Sequence, residues 1–156
     1  MPLDPITHAT QARVWFGEIP IESLYTMGIA GERFFREIKD RGRLVGTHCS
    51  ECDITYVPPR LYCERCFAQL GDWVEVGTQG RVCTYTLLHT ALDGSRLEEP
   101  EIIAFVQLDG ADGGLIHRLG EVAPDQVEIG LRVEAVFKEK AERAGSILDI
   151  EYFRPR

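Results

Sequence analysis

The sequence predicts a mostly β protein with one N-terminal helix: a rubredoxin-like zinc ribbon followed by a five-stranded barrel of the OB type. Three observations carry this. Cys49, Cys52, Cys63 and Cys66 stand in C-x2-C-x10-C-x2-C spacing, which two knuckles can close around one metal ion. Downstream, five short segments rich in β-branched and aromatic residues are separated by turn residues. A polar insert holding Pro124 and Asp125 falls between the third and fourth of them, the arrangement of a small OB barrel. The resulting division is an arm and helix over 1–42, the ribbon over 43–72 and the barrel over 73–156.

A chain of 156 residues can form one domain with a proper core, or a small module beside a medium one. It contains no run of about 18 apolar residues that could span a membrane. The opening "MPLDPITHAT" lacks the basic and apolar regions of a secretory signal, so the cytoplasm is the expected compartment. Seventeen Lys and Arg against 25 Asp and Glu give a net charge of −8. A surface built to grip phosphate backbones is usually basic, so the balance argues against a nucleic-acid partner.

The segment "RVWFGEIPIES" is apolar enough to read as an arm packing on the body. In "GIAGERFFREIKDRGR", Phe34, Phe35 and Ile38 fall near helical spacing, predicting a helix over 30–41. Glu37 and Arg41 form a favourable i,i+4 pair, and Gly42 is the stop. The barrel strands are expected over 80–90, 101–109, 113–120, 131–140 and 146–155. "EIIAFVQLD" is nearly continuous in apolar residues and suits a strand buried on both faces. "ALDGSRLEEP" reads as a long polar loop between the first two strands, and "AERAG" joins the last two; in OB folds these connections often flank the ligand face. "DGADGG" reads as a hairpin turn, not a phosphate cradle. Trp73 is expected to seal the ribbon against the barrel.

Between the cysteine pairs, "DITYVPPRLY" is long enough for a strand out, a proline turn and a return. Four thiolates fill every position of a tetrahedron and leave none for water, so the metal is read as structural. Zinc is favoured. The same sulfurs can hold iron, and two disulfides would need an oxidising compartment. Cys83 is expected to be a small buried hydrophobe. His8, His48, His89 and His117 are scattered, and no G-x-S-x-G, P-loop or H-E-x-x-H motif occurs. No catalytic residue is assigned. Arg60, at the tip of the Pro58-Pro59 turn, is read either as a structural ion pair or as a contact to a partner or ligand.

The stretch "LVGTHCSECDITYVPPRLYCERCF", the following "WVEVGTQGRVCTYT", and "PEIIAFVQLDG" with "IGLRVEAVF" resemble the zinc-ribbon/OB-fold proteins associated with acyl-CoA metabolism, formerly a domain of unknown function. The resemblance covers about residues 25–153. It implies an accessory subunit that helps bind or hand over acyl-CoA, with CoA as a shared ligand and Zn2+ at Cys49, Cys52, Cys63 and Cys66. The implied partner is a thiolase-like or hydroxymethylglutaryl-CoA-synthase-like enzyme that supplies the catalytic cysteine or base. An acyl-CoA hydratase or aldolase is the alternative partner, and a nucleic-acid-binding module the alternative function. Arg60, Arg81 and Arg96 are the candidate contacts to CoA or partner. Arg118, Lys138, Lys140 and Arg143 are further cations on or beside the barrel. The chain departs from the family pattern at Asp53, where a glycine often follows the first pair, and at Glu64, where a proline often follows the third cysteine. Asp tolerates a left-handed turn, so the fold expectation stands.

Overall fold

In the computed structural model, which describes residues 7, 8, 10, 26–91 and 93–156, the predicted helix runs as α1 (Gly28–Arg41). Phe34 and Ile38 lie four residues apart and bury one face. Glu37 holds Arg41 at 3.0 Å, as its spacing predicts, and also Arg43 at 2.6 Å. Gly42 ends the helix in the left-handed region at φ 63, with its N–H bonded to the Ile38 carbonyl at 3.0 Å. A Cβ there would also meet the Arg143 guanidinium at 2.7 Å. The apolar arm "RVWFGEIPIES" lies outside the described residues.

Three strands follow: β1 (Leu44–Cys49), β2 (Ile54–Tyr56) and β3 (Asp72–Val76). They form an antiparallel sheet in the order β2-β1-β3. The outgoing strand between the cysteine pairs is present as β2, but the expected return strand is not. Between the proline turn and β3, the pairing is the single bridge Tyr62↔Gln69. Pro58 and Pro59 have no N–H to donate, so a ladder cannot continue through them. The third strand is β3 instead, paired with β1 from Leu44↔Val76 to His48↔Asp72.

The barrel is built from β4 (Gln79–Thr90), β5 (Arg96–Leu108), β6 (Gly114–Leu119), β7 (Arg132–Phe137) and β8 (Ile150–Pro155), closed in the order β4-β5-β6-β8-β7. This is the OB topology, including the parallel β6–β8 contact at Leu119↔Phe153. The insert between β6 and β7 is a single helical turn over Pro124–Gln126, as read. The "DGADGG" segment is the β5–β6 hairpin turn.

Two expectations are corrected. The span 91–100 is not a long loop: β4 and β5 continue as a projecting hairpin to Thr90↔Arg96, closed by an Ala91 N–H to Ser95 carbonyl bond of 2.8 Å. A hairpin exposed on both sides needs no apolar alternation, so nothing in its sequence marked it as strand. The span 101–109 is not buried on both faces. Ile102, Ala104, Val106 and Leu108 are buried, whereas Ile103, Phe105 and Gln107 are half-buried on the outer face. Segment 146–155 enters its strand through a helical turn over Ile147–Asp149. Buried Asp149 anchors that turn, its carboxylate accepting from the N–H groups of Ala144, Gly145 and Ser146 at 2.9, 2.7 and 3.2 Å.

One core serves all three parts: Phe34 and Ile38 of α1, Val45 of β1, Val82 and Val106 of the barrel and Phe153 of β8 belong to a single buried cluster. Among the described residues no helix is long and apolar enough to cross a membrane. The ribbon–barrel seam lies at β2. The Thr55 N–H donates to the Asp112 carboxylate at 2.8 Å, and the Asp112 N–H to the Thr55 carbonyl at 3.0 Å. Next to it, a Cβ on Gly113 would sit 2.5 Å from the Val57 carbonyl oxygen. Trp73, the expected seal, packs on the common core only half-buried, with the Arg33 guanidinium 4.2 Å above its ring. It joins the helix to the ribbon sheet; the hydrogen bonds that close the seam are made elsewhere.

Candidate metal centre

The end of β1 delivers Cys49, and the tight turn into β2 brings Cys52 back beneath it. The turn over 63–66 supplies the other two sulfurs, and the Sγ atoms of Cys49, Cys52, Cys63 and Cys66 all lie within 4.8 Å of one another. Cys49 and Cys66 are 3.6 Å apart, Cys52 and Cys63 3.8 Å. A tetrahedron with metal–sulfur bonds of about 2.3 Å has edges of about 3.8 Å, so the donor set fits zinc. All four are free thiols, far beyond the disulfide bond length of about 2.05 Å, which removes the disulfide reading. An ion held by all four sulfurs would have no place for a substrate or a water and would serve as a brace.

The surrounding groups prepare one sulfur for a cation. The Tyr56 hydroxyl lies 3.2 Å from the Cys63 sulfur, and the Arg65 N–H points at it from 3.4 Å. The Tyr56 hydrogen bond is the main reason the Cys63 thiol is pulled down to about 6. Burial pushes the Cys49 thiol up, and the Cys52 thiol up to about 12. The lowered Cys63 thiol beside the raised Cys49 and Cys52 thiols makes a site that a divalent cation would complete, because the cation would drive the raised thiols to release their protons.

The residue after each cysteine pair is left-handed: Asp53 at φ 54, as its turn requires, and Phe67 at φ 60. His48 stays out of the metal shell, its Nδ1 3.1 Å from the Thr55 hydroxyl. His89 is exposed in β4. His117 is buried inside the barrel with Nε2 3.4 Å from the Ile147 carbonyl and Nδ1 unpartnered. Cys83 is half-buried rather than buried, because the β4 bulge between Val82 and Thr84 turns it outward beside Gln107.

The three candidate arginines are not gathered into one site. Arg60 pairs with Glu64, the residue in the usual proline position, and lies over the Tyr56 ring at 5.2 Å. It borders a cleft of about 410 Å³ between ribbon and barrel, with Tyr56, Pro58, Arg65, Asp112 and Gly113. Arg81 is on the outer face of β4, bonded to the Gln107 side chain at 2.9 Å. Arg96 opens β5 at the exposed end of the hairpin. Arg118 and Arg143 are tied to the backbone carbonyls of Glu151 and Lys138. Sequence reasoning missed Thr47, Asp112, Gly113 and Phe67. For Phe67 a signal existed: it occupies the same place after its cysteine pair as Asp53 does after the first.

Ribbon and barrel each match a family model: residues 36–71 the rubredoxin-like zinc ribbon domain of ChsH2, and residues 73–138 its C-terminal OB-fold domain. A DUF35 domain-containing scaffold protein of Methanocaldococcus jannaschii is 32% identical over 112 residues, spanning 70% of this chain and 78% of that protein. The chain belongs to the DUF35 family. A probable enoyl-CoA hydratase alpha subunit of Thermomonospora curvata is 31% identical over 122 residues. That match spans 78% of the DUF35 chain described here but only 36% of the hydratase subunit. Among solved structures, a DUF35 protein of unknown function from Sulfolobus solfataricus superposes with a TM-score of 0.64 at 26% identity, covering 83% of this chain and 87% of that one. A chain of the Ltp2-ChsH2(DUF35) aldolase superposes with a TM-score of 0.57 at 29% identity, covering 80% and 93%.

Proposed function

We propose that this DUF35 chain is a noncatalytic accessory subunit of a thiolase-type acyl-CoA enzyme complex, helping to bind or hand over acyl-CoA and holding the catalytic partner. The observation that supports the accessory-subunit reading is the likeness to a chain of the Ltp2-ChsH2(DUF35) aldolase over 93% of that chain's length; the thiolase-type partner rests on the sequence resemblance. The chemistry of the site supports it. The metal is closed off by four sulfurs, and Cys83 has the Arg81 carbonyl and the Gln107 amide beside it rather than a base. A catalytic group therefore comes from a partner, thiolase-like or hydroxymethylglutaryl-CoA-synthase-like. The hydratase and aldolase names among the relatives favour a second partner class, an acyl-CoA hydratase or aldolase.

CoA carries phosphates that need cations, and this acidic chain offers them locally. Arg60 borders the ribbon–barrel cleft, Arg81 stands opposite Arg132 on the barrel wall, and Arg96 marks the hairpin end. Thiolates of this kind suit the reducing cytoplasm. The test is to co-express the chain with the acyl-CoA enzyme encoded beside it and to capture the chain by affinity. Recovery of the enzyme, with activity that disappears when this chain is omitted, is expected. A lone monomer that binds single-stranded nucleic acid with steep salt dependence overturns the reading.

A further inference from the structure

Phe67 breaks two rules at once. Its backbone lies at φ 60, a region a bulky side chain avoids, and its ring is 78% exposed. The fold does not ask for a phenylalanine here. Asp53 fills the equivalent place after the first cysteine pair, at φ 54, with a residue that tolerates the left-handed conformation. Glycine would do so freely. Strain of this kind, in a side chain that buries little of itself against its own protein, marks a position held for something outside the fold.

The neighbours agree. Tyr62, directly before Cys63, is 59% exposed, so the second cysteine turn displays an aromatic ring on each side. Arg65 is exposed between them, and no described residue places a carboxylate within ion-pair distance of it. The turn itself is rigid: the Phe67 N–H bonds to the Cys63 carbonyl at 3.0 Å and the Cys63 N–H to the Ala68 carbonyl at 2.9 Å. Metal ligation by Cys63 and Cys66 would fix it further. Aromatic side chains and an arginine on a preorganised support are the composition of an interface hot spot.

We propose that Phe67, flanked by Tyr62 and Arg65, is the anchor by which the ribbon docks into an apolar pocket with an acidic rim on the catalytic acyl-CoA enzyme. The surface rests on the accessory-subunit reading and names where that partner is held. The acidic rim follows from the unpaired Arg65 charge, and the apolar pocket from the two exposed rings.

The test sets stability against binding. Phe67→Gly relieves the backbone and removes the anchor, so the thermal midpoint of the metal-loaded chain is expected to rise by about 3 °C. Its affinity for the co-purified acyl-CoA enzyme is expected to fall by about 30-fold or more. Tyr62→Ala is expected to weaken binding without raising the midpoint. A Phe67→Gly chain that binds as the unaltered chain does, or that is less stable than it, overturns the anchor and leaves the accessory reading intact. An unaltered chain that binds no acyl-CoA enzyme overturns both.

Discussion

The Thr47 hydroxyl holds the backbone of Arg60 from both sides: it accepts from the Arg60 N–H at 2.9 Å and donates to the Arg60 carbonyl at 2.9 Å. Thr47 is fully buried in β1, two residues before the strand's cysteine end, so this pair of bonds ties the proline tip to the metal-bearing strand. The clamp thereby sets where Arg60 stands over Tyr56 and at the mouth of the cleft. Thr47→Val keeps the shape and removes both bonds. It is expected to cost about 1–2 kcal/mol in chemical denaturation, with loss of amide protection confined to the proline tip. An unchanged midpoint would show that the tip is held by the prolines alone.

The seam gives a second expectation. A methyl group on Gly113 collides with the Val57 carbonyl oxygen at 2.5 Å and approaches the Val57 nitrogen at 3.1 Å, both of them backbone atoms. Gly113→Ala is expected to destabilise the chain by about 1–3 kcal/mol. Limited proteolysis should then cut between ribbon and barrel, where the unaltered chain resists. Equal resistance in both would remove the seam from the account.

Metal removal should act on the ribbon first. The small cluster of Cys49, Tyr56, Cys63 and Leu70 has little apolar area to stand on, and the ion supplies what the core lacks. Elemental analysis is expected to return one zinc per chain, and chelation to abolish hydrogen-exchange protection in β1 and β2. Iron in place of zinc would point instead to electron transfer, which four sulfurs around iron also permit.

What the sequence disclosed follows from where each constraint is written. Cysteine spacing is local, so the knuckles were legible; the helix was marked by Phe34, Ile38 and Gly42, each within one or two turns. The barrel order was legible because β4 and β6 to β8 alternate or sit between clear turns. The hairpin over 91–100 was not, since residues exposed on both sides obey no burial pattern. The seam was hidden too, because Thr55 and Asp112 lie 57 positions apart and meet only after both parts fold. Thr47 looked like any strand threonine; its role depends on a carbonyl thirteen residues away.

Two buried groups contribute to the pH response. Burial holds His117 below the ordinary histidine value of 6.5. Unfolding lets it take up a proton, so its contribution is complete above 6.5 and is lost as the pH falls from there toward the folded value. Asp149 is buried, which opposes its charge, yet the N–H groups of Ala144, Gly145 and Ser146 outweigh burial and hold it below 3.8. Its stabilisation is present above 3.8 and lost as the pH falls through the folded value. Urea midpoints are therefore expected to decline in two stages on acidification. His117→Gln should flatten the first stage. Asp149→Asn should shrink the second, to which Glu37 and Asp109 also contribute, and cost about 1–3 kcal/mol at neutral pH. A single decline unchanged by His117→Gln would assign the first stage elsewhere.

The accessory-subunit reading meets its most direct test in a titration of turnover. The purified acyl-CoA enzyme encoded beside this chain is assayed with increasing amounts of the zinc-loaded chain, and the chain is assayed alone. The account predicts no turnover from the chain alone, and enzyme activity that rises and saturates at a fixed ratio of the two. Turnover by the chain alone, or an enzyme indifferent to its presence, would contradict it.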